Sequence, residues 1–143
     1  MDERVLGWLK SHAGEVFESP RKKAFNRKVM DIEIVSVGDE RVKIHFVGSI
    51  YEALPLFFWM FDRTLEYLNQ NKAVPIRLGS KVQPPYEIDT VEGQIWQKPY
   101  PTGNSSYKVA SHVCDILALA GLVEYLFVDT EARRNIQAVK LKE

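Results

Sequence analysis

The sequence predicts an α+β fold: an N-terminal helix, a β-hairpin and a long apolar helix, followed by a C-terminal helix plus a second β-hairpin. Three observations lead to this prediction. Apolar residues recur at helical spacing in several segments, they alternate with charged residues over 29–47, and glycine and proline separate the segments. The 143 residues are 45% hydrophobic and 27% charged, so the chain can bury a globular core.

The first helix is predicted from about Asp2 to Phe17, where five apolar residues share one helical face. Ser19 and Pro20 end it, because the residue before a proline is disfavoured in a helix. The next stretch, 21–28, carries five basic residues. Two interpretations stay open for it: an arm that contacts phosphate groups, or a solvated linker.

A β-hairpin is predicted between Val29 and Val47. Met30, Ile32 and Ile34 alternate with acidic residues, and a second apolar series alternates with basic residues after the turn at 38–40. Such alternation is typical of a sheet with one buried face, and the opposite charges favour pairing of the two strands.

A long apolar helix is predicted over Ala53–Leu68. Ser49 and Glu52 have the spacing of a capping box, and apolar residues then lie on nearly every face. Pro55 requires a kink or a start of the regular helix near that residue. A helix of this kind is either the centre of the fold or part of a dimer contact.

The segment 73–82 predicts a short strand broken by Pro75 and Gly79. Because proline cannot donate to a sheet, Pro75 indicates either an edge strand or the beginning of a strand. The prolines that follow mark the predicted boundary between two domains, 1–84 and 85–143. A short helix is predicted from Asp89 to about Gln97.

The end of the chain predicts a helix followed by a hairpin. Asn104 or Ser105 can cap a helix that runs to about Ala120, and Gly121 ends it. Strands are expected over 122–128 and 136–141, joined by the polar loop 129–135.

The residues from Ser111 to Leu117, followed by the sequence AGLV at 120–123, resemble the recognition helix and first wing strand of winged helix-turn-helix transcriptional regulators. The resemblance concerns the C-terminal part only. It implies a transcriptional regulator-like protein that binds double-stranded DNA with the 105–120 helix in the major groove and the loop 129–135 as a wing. The residues expected to contact DNA are Ser106, Tyr107, Lys108, Ser111, His112, Arg133 and Arg134.

Other features favour an alternative, a non-enzymatic subunit with a degenerate winged helix that binds a protein partner instead of DNA. The span 95–104, where a helix-turn-helix needs its first helix, contains two prolines and a glycine. Asp115 adds a negative charge to the face that would approach phosphate, and the formal net charge is zero. A homodimer is expected.

No catalytic residues, metal ligands or cofactors are predicted, and the chain is not expected to be an enzyme. His12, His45 and His112 lack metal-ligand spacing with one another or with Cys114, the single cysteine, which is expected to be a small buried hydrophobe. The longest apolar run is too short to span a bilayer and the N-terminus does not have the pattern of a signal peptide, so no membrane association and a cytoplasmic location are expected.

Overall fold

The computed structural model describes residues 1–97 and 106–142, and within them the fold is α+β. The described helices are α1 (Glu3–Ser11), α2 (Pro20–Ala24), α3 (Phe58–Gln70), α4 (Val91–Trp96) and α5 (Ala110–Leu119). The described strands are β1 (Val16–Phe17), β2 (Ile32–Val37), β3 (Arg41–Phe46), β4 (Leu54–Phe57), β5 (Ile76–Arg77), β6 (Val123–Val128) and β7 (Ile136–Leu141).

The strands form two antiparallel sheets. The first is four-stranded with the order β1-β2-β3-β4, and the second is three-stranded with the order β5-β7-β6. Buried side chains of both sheets and of the helices belong to one hydrophobic cluster, which includes Ile44 of β3, Phe61 of α3 and Ile116 of α5. The two sheets therefore share a continuous apolar core.

The predicted hairpin between Val29 and Val47 is confirmed as β2 and β3. Ile34 pairs with Ile44 and Glu33 with His45. Ile32 and Ile34 are fully buried, whereas Met30 precedes β2 and is exposed. The alternation therefore predicts the buried face correctly within the strand and fails where the strand has not yet begun.

The long apolar helix predicted over Ala53–Leu68 is wrong in its first part. Leu54–Phe57 is strand β4, which pairs with β3, and α3 begins only at Phe58. Pro55 is tolerated there because β4 is an edge strand. Ser49 Oγ does accept a hydrogen bond from the Tyr51 amide, but this forms a turn and not a helix start.

The first helix is also shorter than predicted. Helix α1 ends at Ser11, and Val16–Phe17 forms the edge strand β1 against β2. Leu9 of α1 lies in the hydrophobic cluster, and Phe17 of β1 packs against the same cluster. Their spacing in the sequence fits one helical face, so the periodicity alone could not show that the helix ends between them.

The C-terminal predictions agree with the structure in the order of the elements, but the helix predicted over 105–120 begins only at Ala110, and the described residues 106–109 are not helical. Helix α5 ends at Leu119, and Gly121 adopts the left-handed conformation that favours glycine after a helix. Strand β7 has the predicted bounds, and β6 begins one residue later than predicted. The predicted caps Asn104 and Ser105 lie outside the described residues.

Strand β5 is an edge strand that pairs with β7, but it covers only Ile76–Arg77 of the predicted 73–82. Residues 76–77 thus complete the sheet that β6 and β7 form, although the predicted boundary assigns them to the first segment. The division of the chain at residue 84 stays a prediction.

Candidate functional site

A cleft of about 470 Å³ gathers basic side chains from distant parts of the chain. Its basic lining residues are Arg21, Arg27, Lys108 and Arg133, and among the described residues that line it only Glu92 is acidic. Polar side chains complete the wall: Ser80, Ser111, Asn135 and Gln137. We call this site the basic cleft. Its composition suits an anionic ligand rich in hydrogen-bond acceptors.

Three of the seven residues predicted to contact DNA meet in the basic cleft. Lys108 lies two residues before α5, Ser111 belongs to the first turn of α5, and Arg133 belongs to the loop between β6 and β7. Lys108 and Arg133 are exposed. Neither forms an ion pair with another described residue. Their charges are therefore available to a ligand.

The loop 129–135 holds its two arginines through its own hydrogen bonds. The Thr130 amide donates to the carbonyl of Arg133 at 2.7 Å, and the Asn135 amide donates to Oδ1 of Asp129 at 2.9 Å. Arg134 is exposed beside Arg133 but does not line the basic cleft.

The remaining predicted contacts are partly covered by the protein. Tyr107 donates its hydroxyl to the carbonyl of Pro55 at 2.5 Å, and Ser106 is half-buried. The His112 ring packs on Phe46 with the ring centroids 4.7 Å apart. Burial, with a smaller effect of Arg21, lowers the pKa of His112 to about 4, so this side chain is neutral at physiological pH.

Glu92 of α4 caps the N-terminus of α5. Its carboxylate accepts hydrogen bonds from the amides of Val109 and Ala110 at 3.1–3.3 Å and from Trp96 Nε1 at 2.9 Å. Burial raises the pKa of Glu92, although these hydrogen bonds oppose the shift. The amides of Val109 and Ala110, which the helix N-terminus could otherwise offer to an external anion, are thus occupied. A ligand in the basic cleft would be held by side chains.

Asp115 of α5 is fully buried and receives three side-chain donors. Ser19 Oγ donates at 2.8 Å, Tyr125 OH at 2.6 Å, and Arg21 Nε and Nη2 at 3.0 and 3.1 Å. The sequence-based interpretation of Asp115 as a negative charge facing phosphate is therefore wrong. Its charge is neutralised inside the protein by Arg21 of α2.

The basic stretch 21–28 is neither a free arm nor a linker throughout. Its first part is helix α2, which Ser19 caps by accepting a hydrogen bond from the Arg21 amide. Arg21 binds Asp115, whereas Arg27 is exposed in the basic cleft without an ion pair to another described residue. Serine followed by proline is typical of the start of a helix, whereas Ser19 and Pro20 were interpreted only as the end of the first helix.

Outside the basic cleft, the described residues offer little that indicates chemistry. Over 1–97 and 106–142, no group of three or more histidine, cysteine or acidic side chains could hold a metal ion. Cys114 is buried, as predicted, and burial raises the pKa of its thiol. In the same parts of the chain, no helix combines the length and apolar character that crossing a bilayer requires.

Comparisons with protein-family models, with curated proteins and with solved structures give no significant match. A function is therefore inferred from the residues of the basic cleft.

Proposed function

We propose that this protein is a winged-helix-like, DNA-associated protein that holds the phosphate backbone of double-stranded DNA in the basic cleft. The observation that carries the proposal is the convergence of Arg27, Lys108 and Arg133, three exposed cations that form no ion pair within the described chain. Phosphate contacts of this kind provide most of the sequence-independent affinity for DNA.

The arrangement of helices supports the winged-helix part of the proposal. A helix-turn-helix needs a helix before its recognition helix, and the sequence between 95 and 104 argued against one. Helix α4, at Val91–Trp96, ends two residues into that span and contacts the start of α5 through Glu92. The hairpin β6–β7 follows α5 and carries the arginines in its loop, as a wing would.

Charge distribution supports DNA over an uncharged ligand. The formal net charge is zero, so a general attraction to nucleic acid is not expected. Arg21 in the basic cleft is paired with Asp115, but Arg27, Lys108 and Arg133 form no ion pair with another described residue, and Glu92 is the one acidic residue among the described residues that line the cleft. A local concentration of this kind raises the potential where a phosphate would bind, even when the whole molecule is neutral.

The proposal is tested with a variant that neutralises the basic cleft, Arg27→Ala/Lys108→Ala/Arg133→Ala. Binding to a fluorescent mixed-sequence duplex is measured by anisotropy at low salt. The matched control is Lys10→Ala/Lys43→Ala/Lys72→Ala, which removes the same charge at exposed lysines that do not line the cleft. The cleft variant should bind at least about 30-fold more weakly than the control, since each lost phosphate contact costs several-fold in affinity. Equal binding by the two variants would contradict the proposal.

A second candidate function is that of a protein-interaction subunit. It is favoured by the loop between β3 and β4, where Ile50 and Tyr51 are 94% and 78% exposed. Exposed apolar and aromatic side chains that lie next to each other are a frequent feature of protein interfaces. This loop is also a candidate for the interface of the expected homodimer. Sedimentation equilibrium measures the molar mass of the wild type and of the variant Ile50→Ser/Tyr51→Ser. A dimer that dissociates in the variant would support an interface at this loop, and identical masses would contradict it.

A further inference from the structure

We infer that the basic cleft binds the DNA backbone without reading the bases, because the protein's own N-terminal half covers His112 and Asp115 on the polar face of α5 that a major-groove helix would present. The inference rests on the proposed function and specifies its mode. Sequence is read by side chains that reach base edges, whereas phosphate contacts carry no sequence information.

Helix α2 covers the middle of this face. Asp115 lies on the polar side of α5, yet its carboxylate is enclosed by Ser19, Arg21 and Tyr125. Ser19 is 1% exposed and Asp115 is completely buried. No base edge can reach this position while α2 is in place.

The first turn of α5 is covered from another direction. His112, a predicted base contact, packs its ring on Phe46 at the end of β3. Tyr107, just before the helix, is hydrogen-bonded to Pro55 of β4. The four-stranded sheet thus covers side chains at the start of α5 that a recognition helix would present to the bases.

The cover is part of the core and not a loosely attached segment. Phe25, at the end of α2, is buried, and its ring contacts Tyr125 and Phe127 of β6 at centroid distances of 5.1 and 4.9 Å. Lifting α2 would expose Phe25 and leave the Asp115 carboxylate without its cationic partner, both of which are unfavourable. DNA would have to bind with α2 in place.

The side chains that stay accessible suit a backbone contact. Lys108, Arg27 and Arg133 line the cleft from segments outside the described helices and strands. Ser111 of α5 also lines the cleft, and its hydroxyl can donate to a phosphate oxygen. A lysine acts as a point charge, and arginines outside the helix can reach backbone oxygens from the cleft walls. The inference therefore predicts one affinity for all duplexes.

The experiment measures anisotropy of the full-length protein with three duplexes of equal length: mixed sequence, A·T only and G·C only. The dissociation constants should agree within about threefold, because one good base contact would already separate them by about tenfold or more. A preference above about tenfold for one duplex would overturn the inference and leave the proposed function intact. Absence of binding to every duplex at low salt would overturn the proposed function itself.

A pair of variants locates the contacts. His112→Phe keeps a ring against Phe46 and should leave the affinity unchanged within about twofold, because the covered side chain touches no DNA. Lys108→Ala should weaken binding to all three duplexes equally, by about three- to tenfold, as loss of a phosphate contact does. Thermal melts of both variants establish that they are folded. A folded His112→Phe that loses as much affinity as Lys108→Ala would overturn the inference.

Discussion

Partly buried Arg21 of α2 and fully buried Asp115 of α5 form a two-pronged ion pair, with Nε and Nη2 of the arginine 3.0 and 3.1 Å from the two carboxylate oxygens. The two residues are 94 positions apart in the chain. The pair attaches the N-terminal half of the protein to the helix whose sequence resembles a recognition helix. Because the pair holds α2 against α5, a ligand cannot reach the face of α5 that carries Asp115.

Removing one partner of this pair should destabilise the protein strongly. Arg21→Ala leaves the buried carboxylate of Asp115 with only neutral donors, and we expect a loss of about 3 kcal/mol in the free energy of unfolding. Urea denaturation measures it. Lys22→Ala, which breaks an exposed pair with Glu18, is the control and should cost less than about 0.5 kcal/mol. Equal effects of the two variants would mean that the Arg21–Asp115 pair does not hold α2 on α5.

His112 should make stability depend on acid pH. The folded protein keeps its imidazole neutral because burial lowers the pKa to about 4, whereas the unfolded chain protonates it below its ordinary value of 6.5. The associated stability is fully present above pH 6.5 and is lost as the pH falls towards 4. It amounts to about 2–3 kcal/mol.

The measurement compares the free energy of unfolding of the wild type and of His112→Phe between pH 7 and pH 4. The wild type should lose stability relative to the variant across this range. Parallel curves would indicate that His112 takes up its proton in the folded protein as readily as in the unfolded chain.

Glu92 should have the opposite pH dependence. Burial raises its pKa in the folded protein above the ordinary value of 4.5, so the charged form carries a cost above that pKa. The wild type should therefore gain stability relative to Glu92→Gln as the pH falls through the folded pKa towards 4.5.

At every pH, Glu92→Gln should be less stable than the wild type by about 1–3 kcal/mol. The carboxylate of Glu92 accepts hydrogen bonds from the Val109 and Ala110 amides and from the Trp96 indole. In glutamine one of the two oxygens is replaced by an NH₂ group, which is a donor and cannot accept these hydrogen bonds. Glu66→Gln, on α3 and without such hydrogen bonds, is the control. A Glu92→Gln variant as stable as the wild type would mean that capping by Glu92 contributes nothing to the start of α5.

The sequence predicted best those helices and strands whose residues show a clear local pattern. Alternation placed β2 and β3, and the order of helix, glycine, strand, polar loop and strand placed α5, β6 and β7. The helix over Ala53–Leu68 failed in part because Leu54–Phe57 is equally apolar as a helix face and as a strand. Pairing with β3 decides between the two, and that contact is not visible in the local sequence.

The candidate site was predictable only in part. Lys108, Ser111 and Arg133 were found through the resemblance, and the structure brings them into one cleft. Arg27 could be noticed only as one of five similar cations, and nothing in the sequence near Asp115 points to Arg21. Such contacts join segments far apart in the chain, so they emerge from the packing of α2 on α5 and not from spacing.

The most direct test of the central claim is the salt dependence of duplex binding by the wild-type protein. Anisotropy titrations with a mixed-sequence duplex at several salt concentrations give the slope of the logarithm of the association constant against the logarithm of the salt concentration. Three cations in the basic cleft predict a slope of about −3, because each phosphate contact contributes about −0.9. A slope near zero, or no binding at low salt, would contradict the account.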